Sequence, residues 1–183
     1  MPSDENDPVL TTSVLATGAP APTGPAFDIV LLAHVACVIV GLGAVVVAGV
    51  QAARLLRDPV EVAARLRSYF APGVNWAGRI IYGVPIFGFL LLAMSKGAYD
   101  LKDAWVMAGL VLWVAAALSA EGLLWPAERR IQALVAERVS DPAVAPDHPT
   151  TAALRLAAWK MLLASSALAA AFVAATVLMV AQP

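Results

Sequence analysis

Two side chains that can bind a metal or a proton, His34 and Cys37, lie in the first apolar stretch of the sequence. An imidazole among apolar residues can ligate haem or a metal ion, or it can relay protons. The two residues are three apart, so a helix would present them on one face. Because two ligands do not complete a coordination shell, we predict no metal site from this pair. His34 is therefore the candidate cofactor residue, with haem as the cofactor, and the alternative is a neutral histidine that hydrogen-bonds a neighbouring helix.

Glu121 is the other ionisable residue inside an apolar stretch, one turn before Trp125. Arg79 and Lys160 stand at the start of two other apolar stretches, at the same expected depth. Because an unpaired charge in lipid is costly, we predict an ion pair between Glu121 and one of these cations. Arg79 is the preferred partner, since Lys160 can extend its amine to the interface. A proton or substrate site at Glu121 is the alternative.

Four apolar stretches must position these residues. They are Ile29–Ala53, Ile80–Ser95 with Trp76 to Gly78 in front of it, Ala104–Ala120 continuing to Trp125, and Met161–Pro183. A membrane-spanning helix needs about 20 apolar residues. The stretches are continuous rather than alternating, which favours helices over barrel strands. The sequence thus predicts an all-α, polytopic membrane protein with four transmembrane helices in an up-down bundle.

The composition excludes several other classes of protein. Hydrophobic residues make up 61% of the 183 positions and charged residues 14%, whereas soluble domains have about 45–50% and 25%. So few charges cannot cover a soluble enzyme. The net charge of −1 provides no basic field for nucleic acid, so we expect no nucleic-acid partner. The single cysteine excludes a disulfide framework.

Basic residues are concentrated in two of the three connections. The arginines between or beside spans one and two are Arg54, Arg57, Arg65, Arg67 and Arg79, and those between spans three and four are Arg129, Arg130, Arg138 and Arg155. The connection between spans two and three has two lysines, offset by Asp100 and Asp103. By the positive-inside rule, connections one and three are cytoplasmic and both termini lie outside.

The N-terminal segment differs from the rest of the chain. Residues 1–25 carry three acidic side chains and many Pro, Ser, Thr and Gly residues, without Lys or Arg. Such a composition cannot bury a core. We predict a disordered extracytoplasmic tail over residues 1–25 and a four-helix transmembrane domain over residues 26–183.

Each cytoplasmic connection has an amphipathic pattern. Asp58-Pro59 can begin a helix that Pro72-Gly73 ends. After Pro126, apolar residues recur at helical spacing, at Ile131, Leu134, Val135 and Val139. The fold prediction therefore includes short amphipathic cytoplasmic helices at the interface, which could hold anionic lipid or a protein partner or serve only to fix the topology.

Several short runs carry a resemblance to a known family. They are His34 followed by Gly41-Leu42-Gly43, the run GRIIYGVPIFG at 78–88, Trp105-Val106, and the run EGLLWPAERR at 121–130. Over about residues 27–180 the layout resembles a bacterial family of four-helix integral membrane proteins of unknown function. It is more distantly similar to the copper-resistance D and HemJ-type membrane proteins, which carry a histidine early in the first span. The HemJ-type proteins are associated with haem and porphyrin oxidation, which implies a haem-linked role for His34.

Taken together, these patterns predict a multi-pass protein of the bacterial plasma (inner) membrane. The favoured function is structural or accessory rather than enzymatic, through contacts with the lipid bilayer, other membrane subunits or further copies of the chain. The alternatives are a haem- or redox-linked protein that uses His34, and a small-solute or proton carrier that uses Glu121.

Overall fold

A computed structural model describes residues 24–57, 68–140 and 148–181. Every regular element within these ranges is a helix, which confirms the all-α prediction. The described residues leave out most of the predicted tail and the first part of the helix predicted to begin at Asp58-Pro59. They also leave out residues 141–147.

Within the described ranges, six α-helices follow one another. They are α1 (Pro25–Arg57), α2 (Trp76–Arg79), α3 (Gly83–Met94), α4 (Ala104–Ser119), α5 (Trp125–Ser140) and α6 (His148–Val180). A 3₁₀ turn, Ile80–Tyr82, joins α2 to α3, and a π-helical turn, Ala120–Leu124, joins α4 to α5. Four stretches of these helices are long and apolar enough to cross a membrane, in agreement with the four predicted spans: Pro25–Arg57, Trp76–Met94, Ala104–Glu137 and Thr150–Val180.

The two longest helices, α1 and α6, form the centre of the bundle. They share the most extensive interface, while α3 packs on α1 and α4 packs on α6. Each has 33 residues, which corresponds to about 50 Å of helix against roughly 30 Å of hydrocarbon. Both central helices therefore extend well beyond the thickness of a bilayer core.

The best-buried side chains lie at one end of the bundle, which we call the arginine end. It comprises the end of α1, the start of α2, all of α5 and the first half of α6, and it carries Arg54, Arg57, Arg79, Arg129, Arg130 and Arg155. Its fully buried apolar side chains come from α1, α5, α6 and the segment before α2: Ala52, Leu55, Phe70, Ile131, Leu154, Ala158 and Met161. The arginine end is therefore the main hydrophobic core.

The helix predicted after Pro126 has a different environment from the one expected. It is not a separate interfacial helix, because α5 continues α4 through the π-helical turn. Its apolar face is buried in the bundle at Ile131, Leu134 and Val135, where α5 packs on α6. The amphipathic pattern was thus real, but its apolar face meets protein.

Pro126 provides a physical reason for the π-helical turn. A proline inside a helix has no N–H, and its ring meets the carbonyl four residues earlier, here that of Gly122. The helix widens just before it, so the N–H of Trp125 bonds the carbonyl of Ala120, five residues back. A single proline therefore changes the helix geometry without ending the helix.

Pro85 creates the corresponding problem in the second span. It cannot donate to the carbonyl of Ile81, the usual partner four residues earlier. The indole nitrogen of Trp113 on α4 donates to that carbonyl instead, at 3.0 Å. In lipid, where water cannot help, a neighbouring helix must satisfy such a group. The bond ties the second span to the third.

We expect Trp113→Phe to lower the free energy of unfolding by about 1 kcal/mol beyond its packing loss, because the Ile81 carbonyl loses its side-chain donor and keeps only the N–H of Gly83, which it shares with Ile80. In a Pro85→Ala background the restored N–H supplies that donor, so the same substitution should cost less. Unfolding of the four purified proteins in one detergent measures the difference. An equal loss of unfolding free energy in both backgrounds would show that the indole N–H does not replace the missing backbone donor.

Candidate functional site

His34 lies at the contact between α1 and α3. Its ring is buried, and Nδ1 is 2.9 Å from the carbonyl oxygen of Val84. A β-carbon added at Gly88 would lie 3.4 Å from the imidazole, and one at Gly83 would lie 2.7 Å from the sulfur of Cys37. The glycines of the second span therefore let α3 approach α1 closely, and His34 joins the two helices by a side chain–backbone bond.

The packing at His34 does not fit a haem. A porphyrin needs an open face beside the ligating nitrogen, whereas the residue is only 7% exposed. Among the described residues no group of three or more His, Cys, Asp or Glu side chains could hold a metal ion. The geometry matches the alternative of a histidine that bonds a neighbouring helix, and we derive no function through haem or copper.

Glu121 has a different partner from the predicted one. Its carboxylate accepts a hydrogen bond of 2.6 Å from the hydroxyl of Tyr82 on the second span. Among the residues that the structure describes, neither Arg79 nor Lys160 lies at ion-pair distance from it. Glu121 belongs to the π-helical turn, and its side chain is exposed. Such turns occur frequently at functional sites. The predicted ion pair is therefore replaced by a phenol–carboxylate bond.

Arg79 stacks on an aromatic ring instead. Its guanidinium carbon lies 4.7 Å from the centre of the Trp125 ring, a cation–π geometry. The indole in turn covers Gly78, where an added β-carbon would lie 3.6 Å from its nitrogen. Tyr82 completes the group, with its ring centre 5.9 Å from that of Trp125. These contacts fix the start of the second span against the end of the third.

A second carboxylate, Glu128, was not singled out by the sequence analysis. It is only 7% exposed, and Asn75 donates its side-chain amide to it at 3.3 Å. The same Asn75 caps α2 by accepting the N–H of Gly78 at 3.3 Å. The burial of Glu128 comes from the packing of α5, for which the sequence around it carries no local signal.

A shallow recess opens between the second span and α5 at this point. Its polar lining comes from Asn75, Arg79, Glu128, Arg129 and Gln132. Gln132 holds its rim by donating to the backbone carbonyl of Gly73 at 3.4 Å. The recess thus brings two guanidinium groups and one carboxylate together at the edge of the apolar spans.

Tyr69 lies beneath the same region, outside the spans. Its hydroxyl is the single buried side-chain oxygen or nitrogen in the described ranges without a bonding partner. Burial raises the pKa of Tyr69 to about 12, the charge of Glu128 adds to the rise, and Asn75 opposes it. The phenol is therefore held in its neutral form far into alkaline solution.

The pKa of Tyr69 predicts how stability depends on pH. The unfolded chain loses the phenolic proton near pH 10, whereas the folded chain keeps it to about pH 12. The unfolded state binds fewer protons in that window, so stability should fall as pH rises from 10 to 12. Tyr69→Phe should flatten that part of the melting temperature–pH curve. The same slope in both proteins would contradict the assignment.

The observed partner of Glu121 predicts which substitutions are coupled. Glu121→Ala and Tyr82→Phe should show a coupling of about 0.5–1 kcal/mol in unfolding free energy, because they remove the acceptor and the donor of one hydrogen bond. Glu121→Gln and Arg79→Gln should add, since these groups are not in contact. Double-mutant cycles in detergent test both pairs. Strong coupling with Arg79 and none with Tyr82 would restore the ion pair.

Comparisons of the chain with protein-family models, with curated proteins and with solved structures find no match. The family resemblance therefore stays an expectation from the sequence, and the function has to be argued from the geometry of the site.

Proposed function

We propose that the protein is a non-enzymatic, multi-pass protein of a bacterial plasma membrane that acts as an accessory bundle through its contacts with lipid and with neighbouring membrane proteins. In this proposal the arginine end faces the cytoplasm and both termini face outward. The observation that carries it is the state of the cations at the arginine end.

Within the described residues, those cations have no carboxylate partner at ion-pair distance. The described charges at this end are Arg54, Arg57, Arg79, Arg129, Arg130, Arg155 and Lys160 against Glu121, Glu128 and Glu137. Within the described ranges, none of these cations forms an ion pair with a carboxylate. All but Arg79 are exposed, and Arg79 is half-buried. Such a ring of free cations beside apolar spans suits the phosphates of anionic lipid.

The outward faces of the spans support the same function. Only 11–22% of the most apolar window of each span is buried inside the bundle. Large side chains such as Ile86, Leu118 and Leu163 are more than 60% exposed. In a bilayer these faces contact lipid tails or the helices of partners, so most of the apolar surface is available for such contacts.

A proton-carrier role is the second candidate, and the contact between Tyr82 and Glu121 favours it. An ionisable residue within a span is a candidate for a proton path, and here a carboxylate and a phenol are joined at a π turn. The accessory function does not use this contact. Proton flux into protein-containing vesicles that Glu121→Gln abolishes would favour the carrier.

The accessory function predicts a preference for anionic lipid. Phosphatidylglycerol should raise the melting temperature of the detergent-purified protein more than phosphatidylcholine does, because each basic residue near an anionic surface contributes about 1 kcal/mol of attraction. Replacing Arg54, Arg130 and Arg155 by Gln should remove most of the difference, and high salt should weaken it.

The matched control replaces Lys96 and Lys102, which lie in the connection at the other end of the bundle. Their substitution by Gln should leave the preference largely intact. Equal stabilisation of the wild-type protein by both lipids would overturn the proposed function.

A further inference from the structure

The recess between the second span and α5 brings charges of both signs together. Arg79 and Arg129 line it together with the carboxylate of Glu128. The recess is shallow and open to the surroundings. We propose that it binds the zwitterionic headgroup of phosphatidylethanolamine, with the phosphate at the two arginines and the ammonium at Glu128. This inference rests on the proposed lipid-binding function and names the headgroup for one site.

The arginines are arranged to receive a phosphate. Arg79 lies with its guanidinium over the ring of Trp125, and stacking occupies the face of the group while the N–H donors point outward in its plane. Arg129 is exposed and lines the recess from α5. A phosphate accepts hydrogen bonds from two guanidinium groups with good geometry, and such charge-assisted bonds are among the strongest available.

Glu128 provides the distinction between headgroups. Its carboxylate is buried and bonded to Asn75, so Asn75 holds it in place at the wall of the recess. An anionic headgroup without an ammonium, such as phosphoglycerol, would place its negative charge near this carboxylate. An ethanolamine ammonium instead adds a cation beside Glu128, whose carboxylate lies in the field of Arg79 and Arg129 but forms no ion pair within the described residues.

The position of the recess matches the depth of a headgroup. It lies where the second span begins, near the exposed Trp76, and where the third passes Trp125. Tryptophans favour the membrane–water interface, and phospholipid phosphates lie at the same level. The rim bond from Gln132 to Gly73 and the cap at Asn75 keep the shape of the site without using the guanidinium donors.

Native mass spectrometry of the protein released from mixed phosphatidylethanolamine–phosphatidylglycerol nanodiscs tests the proposal by counting the retained lipids. The wild-type protein should retain phosphatidylethanolamine preferentially at one site. Glu128→Gln should lower the ratio of retained phosphatidylethanolamine to phosphatidylglycerol about tenfold, the loss of one charge-assisted bond of about 1.4 kcal/mol. Glu137→Gln, which removes the same charge from the same helix outside the recess, should change the ratio far less.

A second variant keeps the test decisive if Glu128→Gln does not fold. Arg129→Gln should reduce retention of both lipids at this site, because both carry the phosphate, whereas Arg130→Gln outside the recess should reduce it less. A ratio that moves equally in Glu128→Gln and Glu137→Gln overturns the headgroup assignment. Retention of phosphatidylglycerol without phosphatidylethanolamine overturns this inference alone, and retention of neither lipid overturns the proposed function as well.

Discussion

The constraint on which this structure depends is that a long apolar helix must find partners for its own backbone groups. Two prolines inside the spans each disturb the regular backbone hydrogen bonding, and the two are compensated in different ways. At Pro85 the carbonyl of Ile81 receives the indole N–H of Trp113 from another span. At Pro126 the helix itself widens, and the N–H of Trp125 reaches back five residues to Ala120.

The π turn before Pro126 also determines the geometry of the candidate site. A π turn inserts one residue, which rotates the two parts of the helix by about 100° relative to an unbroken α-helix. Glu121 lies within the turn and meets Tyr82, while Trp125 follows it and covers Gly78 beneath the guanidinium of Arg79. The positions of the carboxylate and of the aromatic platform therefore follow from a proline that the sequence pattern alone would treat as a helix boundary.

These relations explain how far the sequence could be interpreted. The four spans follow from their apolar length, and the concentration of arginines at one end is visible in the sequence. The continuity of α4 and α5 was not, because Pro126 has the same signature whether it starts a new helix or sits inside an old one.

The ion pair was wrong for a related reason. Depth alone matched Glu121 with Arg79, but a phenol and an indole at the same depth offered each group a partner without bringing the charges together. Glu128 was overlooked because its burial depends on how α5 packs, which no local pattern records.

The second span then emerges as the element that sets the shape of the recess. It packs mainly on α1, whereas α4 and α5 pack on α6. Two of its carbonyls, those of Ile81 and Val84, receive side-chain donors from the third and the first span. Its glycines bring it close enough to α1 for the second of these bonds to form. These directional bonds define the position of the span more sharply than its apolar packing on α1 alone would, because a hydrogen bond weakens steeply when its distance or angle leaves the favoured range. Asn75 and Arg79 are carried on this span, so their distances to Glu128 and Trp125 on α5 are fixed by bonds made deeper in the bundle.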